Sequence, residues 1–280
     1  MSSITTVLDA CTIINLIQID SEDEFLIKKL AHLKVYISEY VYQEIQSNAF
    51  TVPEERARIS QAISKFLSFK ISDTNVELDM GKDFYSEIGS LSNYRKRNGE
   101  FFSTALSVYI TQSTPTKLFF YTDDYVAKED FLSFYNLHQI GSIKDTADLL
   151  LLLYRLDEGF SKKELIRLLS ALFSKYSTDV SVLLSKLRKY SIPTSLRKDR
   201  RYNENLRRLI NSLENHSFNE INSIRDFFIK NRNGKYQGVL NIINQHKEVF
   251  GLESFSSIYL IKLKDLISHL KKNDIYKFAC

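Results

Sequence analysis

Four carboxylates stand where an acid is costly unless it has work to do. Asp9 directly follows the short apolar run Ile4–Leu8. Asp124, with Asp123 beside it, follows the strongly apolar run Lys117–Thr122. Glu44 lies in the second turn of a helix after a second short run, Lys34–Ser38. Glu100 lies in the first turn of the helix that precedes the 117–122 run. Each comes from a different part of the chain, so only folding can bring them together. Like charges gathered in one place cost several kcal/mol in repulsion and desolvation unless a cation joins them. Oxygen-only donors select hard cations, Mg²⁺ or Mn²⁺. Mg²⁺ keeps waters and phosphate oxygens in its shell, which suits phosphodiester chemistry.

The elements that must position these acids alternate. Apolar runs at 4–8, 34–38, 117–122 and 137–140, with a shorter one at 69–71, read as strands. Helical patterns read over 12–18, from the 21–24 acidic start to about 32, over 39–46, 53–66 and 75–91, over 100–111 and 124–134, and over 143–156 and 162–176. Ser21 or Asp20 and Ser38 are cap candidates, and Pro53 suits a first helical turn. Ser103, Ala105 and Ser107 would let the 100–111 helix lie close to a sheet. Alternating strands and helices predict a parallel sheet covered on both faces. Right-handed crossovers then bring all strand C-termini to one rim, where such folds bind ligands. All four acids map to that rim. Taken singly, Asp9 is a helix cap, Glu44 a solvated helix residue, Glu100 an acid suited to a helix N-terminus, and Asp123-Asp124 a strand-to-helix turn. Convergence is what raises them above those plain roles.

The motifs that carry these acids resemble those of the PIN-domain nuclease family over about residues 1–175. Asp9-Ala10-Cys11-Thr12-Ile13-Ile14-Asn15-Leu16 resembles the opening motif. Val41-Tyr42-Gln43-Glu44-Ile45 is similar to the second. Asn98-Gly99-Glu100-Phe101-Phe102-Ser103 resembles the Gly-Glu motif, and Tyr121-Thr122-Asp123-Asp124 the strand-end motif. Ile140-Gly141-Ser142 and Glu158-Gly159-Phe160 complete the order. Ala10-Cys11 stands where the family usually has Thr or Ser, and Phe102 where a further acid is common. The resemblance implies a PIN-like α/β fold, a parallel sheet flanked by helices, in a nuclease domain of residues 1–177. It implies metal-dependent endonucleolytic hydrolysis of RNA that leaves a 5′-phosphate and a 3′-hydroxyl. Asp9, Glu100 and Asp124 would hold Mg²⁺ or Mn²⁺. Glu44 would join the metal's shell or orient the attacking water, making the catalytic set Asp9, Glu44, Glu100 and Asp124. Asn15 and Thr122 would hold carboxylates in place. Asp123 would either contribute through a water or cap the following helix, with the cap preferred. The closest flavour is a toxin or defence effector restrained by an inhibitory protein, and a homodimer is a further family expectation. The alternatives are a PIN-type nuclease acting on DNA or structured nucleic acid, and a non-catalytic scaffold binding protein or RNA.

Charge divides the 280-residue chain. Residues 176–280 carry 19 Lys and Arg against 10 Asp and Glu, while the first 175 carry 19 against 24. Residues 178–280 read as an all-α basic extension with helices over 180–189, 200–214, 218–230, 236–249 and 255–271. Its densest cluster is Arg197, Lys198, Arg200 and Arg201, continued by Arg207-Arg208. Beside Tyr190 and Tyr202 these residues could grip RNA by phosphate contact and stacking, and Arg95, Lys96 and Arg97 form a second basic loop. The plain alternative is a helical extension that packs on the nuclease domain or on a partner. Cys11 and Cys280 lie at opposite ends of the sequence, so a disulfide framework is not expected. No segment has the length of apolar sequence that a membrane span needs, and no secretory address is read, so the expectation is a cytoplasmic protein. The five histidines are scattered without metal-ligand spacing, and no Gly-rich phosphate loop or serine triad is present.

Overall fold

The computed structural model describes residues 4–20, 25–48, 86–90, 97–191, 200–214, 220–231, 235–246 and 255–277. Expectations for 21–24, 53–66, 69–71 and most of 75–91 fall outside those residues. The chain divides into two compact units, Met1–Leu168 with Asp274–Cys280, and Leu169–Asn273. The sequence reading places the boundary at 177/178, and residues 274–277 group with the first unit.

The first unit holds a four-stranded parallel sheet flanked by helices. The strands are β1 (Ile4–Leu8), β2 (Lys34–Tyr36), β3 (Lys117–Tyr121) and β4 (Ser142–Lys144), in the order β2-β1-β3-β4. Thr5 pairs with Lys34 on one side and Leu118 on the other, and Phe120 pairs with Ile143. The helices are α1 (Ala10–Ile19), α2 (Phe25–Leu30), α3 (Glu39–Asn48), α4 (Gly99–Ser113), α5 (Tyr125–Leu137) and α6 (Thr146–Leu156), and α7 (Lys162–Ser191) begins here. Residues 86–90 are also helical. After β1 the chain moves outward to β2, then returns to the opposite side of β1 with β3. The strand order reverses between β1 and β3, which is where open parallel sheets place their ligands.

Local sequence accounts for these elements. Ser38 caps α3 by accepting from the Val41 N–H at 3.3 Å, and Val41 and Ile45 are buried from that helix as its periodicity requires. Ser103 and Ser107 of α4 are fully buried, so this helix lies close on its neighbours. Val7, Leu118 and Phe120 from the strands join Phe101, Leu106, Phe131, Phe134 and Tyr135 in one core.

Several expected elements differ. The strand expected at 137–140 is the last residue of α5 and the turn that follows it, and the last described strand, Ser142–Lys144, takes the first residues of the helix expected at 143–156. Gln139 takes a left-handed conformation with φ 50°. Its N–H reaches Asn136 O at 3.4 Å, and the Ile140 N–H reaches Tyr135 O at 3.1 Å. This is a Schellman termination, with Gln where Gly is usual, and buried Ile140 and Tyr135 share the core behind it. Gly141 follows at φ 147°, where a Cβ would lie 2.2 Å from Leu118 O. No other residue type permits that approach. The two helices expected at 162–176 and 180–189 are one, α7. The polar Ser177 and Thr178 return their hydroxyls to Ser174 O at 3.0 Å and so do not break it.

The second unit contains the remainder of α7 with α8 (Arg200–Glu214), α9 (Ile221–Lys230), α10 (Lys235–Gln245) and α11 (Phe255–Lys272). Leu183, Leu187, Tyr202, Leu206, Leu209, Phe228, Val239 and Leu260 form its core. Among the described residues, no helix is long and apolar enough to cross a membrane.

Candidate metal centre at the sheet switch point

Backbone hydrogen bonds continue past the strand ends and set the acids in place. The Asp9 N–H donates to Tyr121 O at 3.0 Å, and the Thr122 N–H donates to Lys144 O at 3.0 Å. Asp9 and Asp123 are thereby fixed at adjacent strand tips. Asp9 occupies the N-cap position of α1, yet its side chain makes no capping hydrogen bond. It turns into the site instead and is 1% exposed. The plain cap reading of Asp9 is therefore set aside.

Carboxylate oxygens of Asp9, Glu44 and Glu100 all lie within 4.8 Å of one another. Asp9 and Glu100 are buried and Glu44 is half-buried. Gly99 is what lets them meet. A Cβ there would sit 3.2 Å from Asp9 Oδ1 and 3.1 Å from Val41 Cγ2, and would collide with Glu44 Oε2. Asp9 Oδ2 accepts from Cys11 Sγ at 2.9 Å and from Thr122 Oγ1 at 3.1 Å. Asp9 Oδ1 has no hydrogen-bond partner among the described residues, although it is buried. One oxygen is thus tied down and the other faces the remaining two acids.

The electrostatics follow. Burial raises the Asp9 carboxyl to about 6, against hydrogen bonds from Cys11, the Ala10 backbone and Thr122 that lower it, and Glu44 adds repulsion. Burial raises Glu100 to about 8, with further repulsion from Asp9, Asp124 and Glu44. Glu44 is raised by burial and by Asp124. Such a cluster favours either protons or a cation. Three carboxylates, a partnerless buried oxygen and a glycine that leaves room between them fit a hard divalent ion.

The structure redistributes the expected roles. Asp124, expected as a ligand, caps α5 by accepting from the Ala127 N–H at 3.0 Å. It lies outside the close trio, where Glu44 stands instead, although its charge is felt by Glu44 and Glu100. Asp123, expected to cap α5, is buried and accepts from Thr146 N at 2.9 Å, from Thr146 Oγ1 at 2.5 Å and from Asn15 Nδ2. It ties α1 to the start of α6. Asn15 donates to Asp123, and Thr122 donates to Asp9 Oδ2. Thr122 Oγ1 also accepts from the Asp124 N–H at 3.1 Å.

Sequence reasoning missed Cys11. Its sulfur donates to Asp9 Oδ2 and accepts from the Asp123 N–H at 3.0 Å, which links the β1 tip to the β3 tip. The signal was available, since residue +2 from a strand-end acid in a tight strand-to-helix turn can face back toward it. Thr146 was also missed.

In the expected nucleic-acid surfaces, Arg97, Arg200 and Arg201 are exposed. Arg95, Lys96, Arg197 and Lys198 lie outside the described residues. Tyr202 cannot stack on a base. It is fully buried in the second core, edge-on to Phe228 and Tyr236. Tyr190 is 38% exposed, with Gly238 against its ring.

No family model matches this chain, and comparison with characterised proteins and with solved structures finds no match.

Proposed function

We propose that this chain is a divalent-metal-dependent nuclease with a PIN-like catalytic unit, and that it hydrolyses RNA. The observation that carries this reading is the meeting of Asp9, Glu44 and Glu100, from three separate connections, at the reversal point of a parallel sheet. A lone buried acid is commonly structural. Three whose proton affinity is raised by burial and by neighbouring carboxylates form a poor structural arrangement and a good cation site.

Asp9, Glu44 and Glu100 would hold Mg²⁺ or Mn²⁺. Such an ion supplies charge neutralisation on the attacked phosphate and a water more acidic than bulk. Asp9 is held for that role through Oδ2, by Cys11 and Thr122, which leaves Oδ1 turned to the site. Glu44 is the half-buried member and would accept a proton from the attacking water. Asp124, at the border of the trio, adds negative charge that strengthens cation binding while its Oδ1 caps α5. The effector role and the restraining protein partner implied by the sequence motifs belong to the same proposal.

The test is incubation of purified protein with labelled tRNA, mRNA, single-stranded DNA and duplex DNA in Mg²⁺, Mn²⁺ or EDTA. RNA cleavage that requires the metal and disappears in Asp9→Asn and Glu100→Gln is the expected result. Cleavage that persists in both variants removes the site assignment. Preference for a DNA substrate removes the RNA assignment alone.

A further inference from the structure

Along the packing of α3 on α4, one contact is closed by Glu44 of α3 against Gly99 of α4. One turn back along α3 and one turn on along α4, Tyr40 lies flat on Phe102. Their ring centroids are 3.4 Å apart and the planes differ by 5°. Phe102 is 5% exposed, while Tyr40 is 42% exposed. Phe102 covers one face of the tyrosine, and much of the residue remains exposed. Tyr40 and Glu44 share one side of α3, because residues four apart lie about one turn apart on the same face. A stacked, solvent-exposed aromatic ring therefore stands one helical turn from a carboxylate of the candidate metal centre.

We propose that Tyr40 is a substrate-positioning residue, a platform on which a base of single-stranded RNA stacks while the adjoining phosphate lies at the Asp9–Glu44–Glu100 centre. This rests on the nuclease reading above and adds how the strand is held. A metal centre made of acids attracts a phosphodiester only through its ion and repels the rest of a polyanion, so affinity must come from elsewhere. Base stacking on an aromatic ring supplies it without regard to base identity. Phe102 preorganises the ring, since Tyr40 is already stacked and loses little rotamer freedom when a base arrives. Bases in a duplex are stacked on each other and cannot use the platform, so the device selects unpaired strands.

The experiment separates stacking from catalysis. Binding of a labelled single-stranded RNA oligonucleotide, and of the same strand annealed to its complement, is measured by anisotropy in EDTA. Full-length wild-type, Tyr40→Phe, Tyr40→Trp, Tyr40→Leu and Tyr40→Ala proteins are compared, with thermal melting of each as a folding control. Leucine still packs on Phe102 but offers no π face. The expected result is single-strand binding about tenfold weaker in the Leu and Ala variants, retained in Phe and Trp, with duplex binding unmoved throughout. In Mg²⁺, Tyr40→Leu should raise KM and leave kcat near its wild-type value. A Leu variant that binds single strands like wild type overturns the proposal. So does equal loss of single-strand and duplex binding. If wild-type protein cleaves nothing yet binds single strands through Tyr40, the platform stands and the nuclease reading fails. If it cleaves RNA and every Tyr40 variant matches wild type, the nuclease reading stands and the platform fails.

Discussion

Two of the places in the first unit that hold buried or nearly buried acids are built in opposite ways. Asp157, which ends α6, accepts from Lys29 Nζ at 2.5 Å, His32 Nε2 at 3.2 Å and the Gly159 N–H at 2.7 Å. Just beyond it, Lys277 Nζ donates to the carbonyls of Asp157, Glu158 and Phe160 at 2.7, 2.8 and 2.7 Å, and lies 4.7 Å from the centre of the Tyr154 ring. Burial pushes the Asp157 carboxyl up, but Lys29, the Gly159 N–H and His32 together hold it below the usual carboxylate range. At Asp9 the side-chain donors are a thiol and a hydroxyl, both neutral, and the strongest charges acting on Glu100 are other carboxylates. Asp157 is neutralised by the chain's own lysine. Among the described residues, Asp9 has no lysine or arginine in that role, and its side-chain hydrogen bonds come from neutral groups.

That contrast predicts opposite outcomes for the same isosteric change. Asp9→Asn should abolish metal-dependent cleavage, by about 10³-fold or more, since an ion's stabilisation of transition-state charge is worth several kcal/mol. The same variant should raise the melting temperature of metal-free protein at neutral pH, because one repelling charge is gone. Asp157→Asn should do the reverse. It leaves Lys29 with a weaker partner and lowers stability by about 1–3 kcal/mol, measured by denaturant unfolding, while cleavage stays near wild type. A metal-free Asp9→Asn protein less stable than wild type would erase the distinction between the two sites.

Their pH dependences should also oppose. Asp9 and Glu100 have folded-state values of about 6 and about 8, above the roughly 4 of an unfolded chain. The folded state therefore binds the extra protons, and stability falls with rising pH wherever it does so. Their contribution is full below about pH 4, declines as pH rises, and is lost above about pH 8. Asp157 is lowered, so its contribution is present above about pH 4 and is lost as pH falls through its folded value. Melting in EDTA should show both limbs. Mg²⁺ or Mn²⁺ should raise the melting temperature more at pH 8 than at pH 5, since protons and the ion compete for the same oxygens. An equal shift at the two pH values would place the ion elsewhere.

The parts of this arrangement that sequence alone conveys are those set by periodicity and topology. Ile4–Leu8 and the 117–121 run announce themselves as strands, and parallel connection then sends Asp9, Glu44 and Glu100 to one rim. What sequence hides are directions that differ between neighbours. Asp123 and Asp124 are the same residue type side by side. Adjacent residues of extended chain point opposite ways, so one turns inward to Thr146 and Asn15, and the other turns to Ala127. The last strand was displaced because a left-handed Gln139 ends α5 without the glycine that normally marks such a stop. The α7 boundary was lost because serine and threonine read as turn formers until their hydroxyls are seen bonding back along the helix.

The finest test concerns the neutral donors, since they are what distinguishes an acid that is oriented from one that is neutralised. Cys11 and Thr122 both donate to Asp9 Oδ2, and Cys11 also receives the Asp123 N–H. Removing the thiol in Cys11→Ala leaves Asp9 charged but freer to turn, and leaves the Asp123 N–H without that acceptor. Metal affinity should fall about tenfold, the lower end for loss of a group that orients a ligand, as read by calorimetric titration of Mn²⁺. Cys11→Ser keeps a donor and an acceptor on a shorter side chain and should recover most of that loss. Cys11→Asp would add a fourth negative charge, tightening the ion while lowering metal-free stability further. Identical affinities for wild type, Ala and Ser would mean that Thr122 alone orients Asp9 and that the thiol only fills space.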